Sequence, residues 1–452
     1  MNQGLTIVPP PVVGEALRRL EARGFQAWCV GGCVRDSLLG KAPSDWDIAT
    51  SALPQETKAC FAGERLVEAG AAHGTIAWVP SGDHPIEITT FRSDGAYTDG
   101  RHPDSVAFSR RLEDDLSRRD FTVNAMAWHP QRGLVDLFHG QEDLSAGLLR
   151  CVGEPARRFS EDALRILRCL RFSSQLGFAI HPDTAQALWE KRELLLALSH
   201  ERVREELTKL LCGQGAAAVL RQYAAVVFTV LPELAPMKGC AQETPYHCFD
   251  VWEHTLHAVD YAPQQGDLRW AALLHDAGKP GRKTRSADGV AHFYGHPPES
   301  GRIARQLLTR LRFSNKERDW IAALVDHHED AMPMGEAHLK GLLGRYGERF
   351  VFTLFQLQEA DMSAKAPGVF ARRLPDLEES RALARAILER GDCLTLGDMA
   401  LTGEDLKALG VAPGPEMGKL LRRLLEAVQR GEAANTPAAL GELAKRLLER
   451  DL

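Results

Sequence analysis

The feature that most constrains this chain is a pair of glycines between a short apolar run and two acids. Ala27 to Val30 reads as a strand, and Gly31 and Gly32 follow it directly. Glycines at such a turn let the backbone come close to a phosphate. A short helix is predicted next, and then a second strand with Asp45 and Asp47 on one face. Two such carboxylates suit Mg²⁺ carrying a triphosphate, although GG turns and DxD acids also occur in ordinary loops.

The length and composition limit the class of protein. A chain of 452 residues is too long for one core, so about two to four domains are expected. Apolar residues make up 44% and charged residues 26%, as in soluble globular proteins, and neither a transmembrane run nor a signal peptide is visible. Nine cysteines without CxxC spacing indicate free thiols in a reducing cytoplasm. The net charge of −6 restricts nucleic-acid binding to a local patch.

The chain changes character near residue 150. Before it, strands are predicted at Thr75 to Val79 and Ile86 to Phe91, with a turn between them. From Ser160 onward the periodicity is almost entirely helical, which predicts an α+β protein with a helical second part. Amphipathic helices are predicted at Ala163 to Phe172, Thr184 to Leu198, Arg202 to Leu211, Ala216 to Ala225 and, in the tail, from Gly418 onward.

A third acid is expected beside the first two. Glu87 alternates with Ile86 and Ile88, so it lies on the polar face of its predicted strand. If that strand pairs beside the strand of Asp45 and Asp47, three carboxylates converge. Such a set holds two divalent ions, of which one activates a hydroxyl and one neutralises the leaving phosphates. The alternative is an exposed strand acid.

Two further segments carry groups that recognise a nucleotide. Arg118, Arg119, Asp120 and Asn124 fall within seven residues, where they can clamp phosphates and hydrogen-bond a ribose, or form an ordinary charged helix start. Asp162 and Arg165 are three apart on a helix for which Ser160 is the expected N-cap. A carboxylate beside a guanidinium matches the amino donor and ring-nitrogen acceptor of cytosine and adenine, and rejects uracil and guanine.

Histidines dominate the middle of the chain. Imidazoles and carboxylates spread over several helices can surround a divalent transition metal. The residues in question are His254, His275, Asp276, His296, His328 and Asp361. Near the Asp162 helix there is also a basic population that can meet RNA phosphates, or simply form solvated helix faces. It consists of Arg157, Arg158, Arg168, Arg171, Arg202 and Arg204.

Five motifs occur in an order that resembles a known family. They are Val30-Gly31-Gly32 with Arg35-Asp36, Asp45-Trp46-Asp47, Glu87 to Arg92, Arg118 to Met126, and Glu161-Asp162 with Arg165. The chain resembles bacterial tRNA nucleotidyltransferases, the class II CCA-adding enzymes of the poly(A) polymerase/tRNA nucleotidyltransferase superfamily. The departures are small, since Cys33 stands where the family often has alanine and Trp46 where it often has phenylalanine.

This resemblance implies a domain order. A nucleotidyltransferase palm, built of a mixed or antiparallel sheet with helices, should occupy residues 1–150, and an all-helical neck with the template helix residues 151–240. The histidine series resembles an HD-domain metal-dependent phosphohydrolase, which should occupy residues 241–365 and is expected to act on phosphate esters at RNA ends. A helical tail over 366–452 should bind tRNA.

The resemblance also assigns roles to residues. Asp45 and Asp47 are expected to bind two Mg²⁺ ions, with Glu87 as a third catalytic carboxylate. Asp162 and Arg165 are expected to act as the protein template for C and A. The rest of the expected nucleotide-binding set is Gly31, Gly32, Arg35, Arg118, Asp120 and Asn124.

The expected activity is addition of CMP, CMP and AMP from CTP and ATP to the 3′ end of tRNA without a nucleic-acid template. The segment from Arg92 to Pro103 resembles the family's flexible loop, which implies addition of CCA or of A alone. The alternatives are an enzyme adding only CC or only A, a poly(A) polymerase, an HD-type phosphohydrolase as the main activity, and a non-catalytic RNA-binding protein. No membrane partner is expected.

Overall fold

The computed structural model describes residues 7–82, 84–94 and 106–450. The chain folds into two compact units, Met1–Pro232 and Glu233–Leu452. The predicted loop residues from Gly95 to Pro103 lie outside the described part of the chain.

The first unit is built on a mixed seven-stranded sheet, whose strands lie in the order β3-β4-β5-β2-β1-β8-β9. Strands β2 and β5 pair in parallel, and the other neighbours in this sheet pair antiparallel. The strands described in this unit are β1 Ala27–Val30, β2 Asp47–Thr50, β3 Leu66–Val67, β4 Thr75–Trp78, β5 Ile86–Thr90, β6 Arg92–Asp94, β7 Val106–Phe108, β8 Met126–His129, β9 Gly133–Asp136, β10 Leu148–Leu149 and β11 Ala179–Ile180.

The register of the sheet sets the positions of the predicted acids. In the parallel β2–β5 pair, Asp47 lies opposite Glu87. In the antiparallel β1–β2 pair, Asp47 lies opposite Val30, the residue before the glycine turn. The strand of Glu87 therefore pairs beside the strand of Asp47, which is the condition on which the three carboxylates were expected to converge.

Helices pack around this sheet, and the part of the first unit that follows the sheet in sequence is mainly helical. Leu112 and Leu116 of one helix pack with Trp28, Val30 and Ala49 to form a buried cluster against the sheet. The helices are α1 Pro11–Glu21, α2 Gly32–Leu38, α3 Pro54–Cys60, α4 Leu112–Ser117, α5 Gly140–Ala146, α6 Pro155–Glu161, α7 Leu164–Leu176, α8 Pro182–Glu190, α9 His200–Leu211, α10 Ala216–Gln222 and α11 Ala224–Val230, with 3₁₀ segments at Ala71–His73, Thr122–Asn124 and Arg192–Ala197.

Three helix predictions need correction. Ser160 is not an N-cap: it lies in the last turn of α6, where its hydroxyl donates to the Ala156 carbonyl, and Glu154 caps that helix. The predicted helix from Thr184 to Leu198 ends as α8 at Glu190 and continues as a 3₁₀ segment. The predicted helix from Ala216 to Ala225 is divided at Tyr223 into α10 and α11.

The second unit, in its described residues, is helical apart from one short hairpin of β12 Thr284–Arg285 and β13 Ala291–His292. None of its described helices, nor any in the first unit, is both long and apolar enough to cross a membrane. The helices are α12 Val251–Tyr261, α13 Gly266–Leu274, α14 Lys279–Arg282, α15 His296–Arg310, α16 Asn315–His327, α17 Glu336–Tyr346, α18 Glu348–Ser363, α19 Val369–Glu389, α20 Gly403–Ala408, α21 Pro415–Gln429 and α22 Pro437–Arg450, with a 3₁₀ segment at Leu396–Asp398. A further 3₁₀ segment, Pro232–Met237, spans the boundary of the two units.

Candidate active site

A cavity of about 580 Å³ in the first unit contains the whole set of predicted catalytic and nucleotide-binding residues. They come from β2, β5, α2, α7, the segment after α4 and the break between α6 and α7, so residues far apart in sequence share one wall. The predicted residues that line it are Gly31, Gly32, Arg35, Asp45, Asp47, Glu87, Arg118, Asp120, Asn124, Asp162 and Arg165.

The acidic floor, by which we mean Asp45, Asp47 and Glu87, differs from the prediction in one detail. Asp47 is the first residue of β2, whereas Asp45 lies before the strand, so the two are not alternate residues of one strand. Burial first, and then the charges of Asp45 and Glu87, raise the pKa of Asp47 to about 6. A divalent cation would relieve the electrostatic repulsion among these three carboxylates, so the acidic floor fits Mg²⁺.

The glycine turn is required by its surroundings. Gly31 has a φ of 76°, and its amide donates to the Met126 carbonyl at 3.3 Å. A Cβ at this position would lie 2.9 Å from Nη1 of Arg119. The turn therefore needs glycine both for its backbone conformation and for the approach of the arginine.

A buried hydrogen-bond network joins α2 to α7. Nη1 of Arg35 donates to Oδ1 of Asn124 at 2.7 Å, and Nδ2 of Asn124 donates to Oδ1 of Asp120 at 3.1 Å. Nε of Arg168 donates to Oδ2 of Asp120 at 2.8 Å. Burial would raise the pKa of Asp120, but Arg168 and the Asn124 hydrogen bond outweigh it and hold the pKa at about 2. Asp120 is thus an ionised carboxylate whose bonds orient neighbouring side chains.

Asp162 and Arg165 both line the cavity, but they do not pair with each other. Asp162 lies in the break between α6 and α7 and forms an ion pair with Arg202 at 3.2 Å. Arg165 donates through Nη1 to Glu161 at 2.8 Å and through Nη2 to the Arg118 carbonyl at 2.9 Å. Each member of the predicted template pair is therefore held by a separate partner.

The predicted RNA-binding arginines fall into three groups. Arg168 and Arg202 line the nucleotide cavity. Arg171 is buried and forms an ion pair with Glu206, which leaves little of its side chain exposed. The remaining three, of which Arg157 is the most exposed, pair with acids of their own helices; they are Arg157, Arg158 and Arg204.

The cavity also contains residues to which the family resemblance assigned no role. Arg119 lies against the glycine turn, and Thr89 and Phe172 line the wall. Arg119 was visible as the second arginine of the Arg118-Arg119-Asp120 motif. Thr89 could have been found from its position two residues after Glu87 on the same face of β5.

The predicted histidine cluster of the second unit is also brought together. Nε2 of His254 lies 2.9 Å from Oδ1 of Asp361 and 3.3 Å from Nε2 of His275. Nε2 of His296 lies 3.2 Å from Oδ1 of Asp276 and 3.3 Å from Nε2 of His328. The cluster contains two sets of three residues, and within each set the ligand atoms lie within 4.8 Å of one another. One set is His254, His275 and Asp276, and the other is Asp276, His296 and His328, so Asp276 belongs to both.

The donor chemistry of this cluster fits a divalent transition metal. Both carboxylate oxygens of Asp276 are buried, and neither receives a well-aligned hydrogen bond from the described residues. Burial would raise the pKa of Asp276, but His275 and Lys279 outweigh it and lower the pKa well below its usual range. Imidazole nitrogens and ionised carboxylate oxygens are the ligands that such metals take.

Comparisons with known proteins agree with this arrangement. The family model described as "Poly A polymerase head domain" matches residues 27–150, and that described as "Probable RNA and SrmB- binding site of polymerase A" matches residues 177–237. A third, tRNA nucleotidyltransferase domain 2, matches residues 299–444. The CCA-adding enzyme of Lactobacillus delbrueckii subsp. bulgaricus is 35% identical over 429 residues, which are 94% of this chain and 95% of that one.

This chain belongs to the family of CCA-adding enzymes. The family member from Levilactobacillus brevis is 36% identical, with 94% of each chain covered. The crystal structure of the Bacillus stearothermophilus CCA-adding enzyme in complex with CTP is 32% identical, has a TM-score of 0.74, and is matched over 98% of this chain and 100% of that one. The family resemblance and the α+β fold predicted from the sequence are confirmed, whereas the four-domain division stays a prediction.

Proposed function

We propose that this protein adds CMP, CMP and AMP, taken from CTP and ATP, to the 3′ end of tRNA and releases one pyrophosphate for each addition. The observation that carries the proposal is the single cavity that contains the acidic floor, the glycine turn and the template residues together. In each step the terminal 3′-hydroxyl of the RNA attacks the α-phosphorus, a new phosphodiester bond forms, and the bond to pyrophosphate breaks.

The acidic floor would hold the catalytic Mg²⁺. Bound there with the nucleotide, the two ions would activate the attacking hydroxyl and neutralise the charge on the leaving pyrophosphate. The protein's own contribution is to place two carboxylates from paired strands, and Asp45 just before the first of these strands, beside a turn whose backbone can approach the phosphates. Arg118 and Arg119 line the same cavity and supply positive charge to the phosphate chain.

Base choice is assigned to Asp162 and Arg165. The Asp162 carboxylate would accept from the exocyclic amino group of cytosine or adenine, and Arg165 would donate to the ring nitrogen. Nη1 of Arg165 donates to Glu161 and to the Arg158 carbonyl, and Nη2 donates to the Arg118 carbonyl, so Nε and the second Nη2 hydrogen would be the donors for this purpose. Uracil and guanine would place a donor against Arg165 and an acceptor against Asp162, which leaves buried groups unpaired.

The test uses tRNA transcripts that lack CCA, CA or A, incubated with Mg²⁺ and single labelled nucleotides. The expected end-point is a complete CCA on all three, with no further growth and little UTP incorporation. Growth beyond one A would indicate a poly(A) polymerase, and arrest after CC or failure to begin without CC would indicate a partial enzyme. Incorporation of UTP as readily as CTP would contradict the template role of Asp162 and Arg165.

We infer a second activity from the histidine cluster, namely metal-dependent hydrolysis of phosphate esters at RNA ends. The residues that would hold the metal are those of the two overlapping sets that share Asp276. Bound there, the metal would supply an activated water and polarise the phosphate. Lys279, whose Nζ lies 2.7 Å from Oδ2 of Asp276, places a positive charge at the edge of the cluster. Hydrolysis of RNA 2′,3′-cyclic phosphate with added transition metals tests this inference.

The remaining expectations concern tRNA and location. In the second unit, Arg345, Arg422 and Arg430 line a cavity of about 840 Å³, which supports contact between this region and the RNA backbone. All nine cysteines are free thiols in the structure, which supports a reducing compartment and hence the cytoplasm.

A further inference from the structure

A buried acid stands behind the two arginines of the nucleotide cavity. Asp115 lies on the helix α4 and its side chain has no exposed surface. It is not itself part of the cavity wall, whereas Arg118 and Arg119, three and four residues later, both line it. The acid therefore reaches the cavity only through these two side chains.

The contacts of Asp115 are divided between the two arginines. Its Oδ1 accepts from Nε of Arg118 at 3.0 Å and from Nη2 of the same residue at 2.7 Å. Its Oδ2 accepts from Nη2 of Arg119 at 2.9 Å. One carboxylate thus fixes the planes of two guanidinium groups, one of them through a two-point contact whose geometry a lysine cannot reproduce.

The arginines are in turn fixed against the predicted phosphate and base sites. Nη1 of Arg119 lies at the surface of Gly31, where no side chain separates it from the glycine turn. The carbonyl of Arg118 accepts from Arg165, the predicted base-reading residue. The orientation of the Arg119 guanidinium therefore sets the distance between its positive charge and the glycine turn, whereas the main chain of Arg118 fixes this segment against Arg165.

The charges of Asp115, Arg118 and Arg119 together favour the binding of an anion. Burial would raise the pKa of Asp115, but Arg119 and Arg118 outweigh it, so the pKa is lowered and the carboxylate is ionised. Within this group of three residues, one acid against two guanidinium groups leaves a net charge of +1, and the two arginines that carry it line the cavity. A free arginine loses rotamer entropy when it binds, and side chains that are already held lose less.

We propose that Asp115 is a positioning residue for the triphosphate, which it serves by holding Arg118 and Arg119 in the orientation that binds the phosphate chain of CTP and ATP alike. This inference rests on the proposed nucleotidyl transfer. Because the phosphate chain is common to both substrates, Asp115 acts on affinity for either nucleotide and not on the choice of base.

The test compares Asp115→Asn with Asp143→Asn. Asp143 is a matched control, since it is also buried, accepts from Thr122 and Arg150, and lies outside the cavity. Asp115→Asn should raise KM for CTP and for ATP together, by about tenfold, because charge-assisted bonds to both arginines are weakened. The Ki of inorganic tripolyphosphate as a competitive inhibitor should rise by the same factor, while the ratio of CTP to UTP incorporation and the KM for tRNA stay constant. Asp143→Asn should lower the melting temperature and leave these parameters unchanged.

A second pair of variants keeps the test decisive if Asp115→Asn folds poorly. Arg118→Lys and Arg119→Lys preserve the charge but lose the fork, so each should raise the Ki of tripolyphosphate. In the double Arg-to-Lys background, Asp115→Asn should add less than it does alone.

The inference is overturned if Asp115→Asn folds, adds nucleotides and leaves the Ki of tripolyphosphate unchanged, or if it changes the base ratio instead. A wild-type protein that adds no nucleotide to any tRNA would instead contradict the proposed function itself.

Discussion

The acidic floor and the histidine cluster are two candidate metal sites of opposite construction. The floor combines exposed Asp45 and Glu87 with partly buried Asp47 in an open cavity. The histidine cluster is buried, with His254, His275 and Asp276 at 0–1% exposure and their ligand atoms within 4.8 Å, and a cavity of about 320 Å³ reaches it at His296. One site is open to a large substrate, and the other is already the size of an ion.

The difference follows from what each metal would require. Mg²⁺ keeps several waters and commonly binds through one or two carboxylates together with substrate phosphates, so an incomplete protein site is sufficient. A catalytic transition metal takes most of its nitrogen and oxygen ligands from the protein and keeps a position for water. We therefore expect the floor to bind its ions together with the nucleotide, and the cluster to retain its ion during purification.

The largest expected effect comes from removing a carboxylate of the acidic floor, which should change the activity of one site and not of the other. Asp47→Ala removes the carboxylate that lies opposite Glu87, so CCA addition should fall by about a thousandfold or more, while hydrolysis of cyclic phosphate ends is unchanged. Both rates are measured on the same preparation. Asp114→Asn is the control, because Asp114 bonds to Ser109 outside the cavity. Loss of both activities in Asp47→Ala would show that the sites are not independent.

The reverse experiment removes the shared ligand of the cluster. Asp276→Ala should abolish the hydrolysis and the retained transition metal, measured by elemental analysis, and leave nucleotide addition within about twofold. Asp330→Asn offers a control in the same unit, since Asp330 accepts from His327 and His338 and belongs to neither ligand set. Full metal content in Asp276→Ala would exclude the assigned ligands.

A smaller effect concerns the choice of base in the nucleotide cavity and does not involve the histidine cluster. Arg165→Lys keeps the charge but loses the planar fork, so the ratio of CTP to UTP incorporation should fall by about ten- to a hundredfold. Arg150→Lys is the control, because Arg150 pairs with Asp143 away from the cavity. An unchanged ratio in Arg165→Lys would assign base choice to other residues of the wall.

The next effect is a pH dependence that the floor should show. Burial and its two acidic neighbours raise the pKa of Asp47 from 3.8 to about 6, so the metal-free fold binds this proton more tightly than the unfolded chain. The Asp47 contribution to the free energy of unfolding therefore falls as pH rises from about 4 through about 6. Mg²⁺, which competes with the proton, should raise the melting temperature by about 2–4 °C more at pH 7.5 than at pH 5.5. Asp47→Asn should remove this difference, and equal shifts at both pH values in the wild type would argue against Asp47 as a ligand.

The smallest expected effect tests the departure at Cys33. Its side chain is buried, with Sγ 3.3 Å from the Val30 carbonyl, and burial raises the pKa of the thiol to about 12. Cys33→Ala removes one sulfur atom and should cost about 1 kcal/mol of stability or less, with addition rates within about twofold. A large loss of activity would reveal a role for the thiol at the floor.

The sequence predicted which residues line the cavity better than it predicted their hydrogen-bond and ion-pair partners. Alternation along β5 predicted the polar face for Glu87 but not the pairing of β5 with β2, and the order of motifs was enough to identify the family. The spacing of Asp162 and Arg165 suggested a pair on one helical face, but a break between α6 and α7 separates them and gives each another partner. The Arg202 partner of Asp162 comes from a tertiary contact that local periodicity does not encode. The pairs of Asp115 with its two arginines and of Glu161 with Arg165 are instead local i,i+3 and i,i+4 contacts, whose spacing was present in the sequence.

The parallel pairing of β2 with β5 has a consequence for how the active site arises during synthesis. Asp47 and Glu87 become neighbours only after the ribosome has made the crossover between them, which contains α3, β3 and β4. A pairing of this kind requires the closure of a long loop, which costs conformational entropy before the strand contacts contribute stability. It therefore forms later than local hairpins and helices. A nascent chain that ends before β5 would carry Asp45 and Asp47 but not the complete floor, so Mg²⁺ affinity should appear abruptly as that strand joins the sheet.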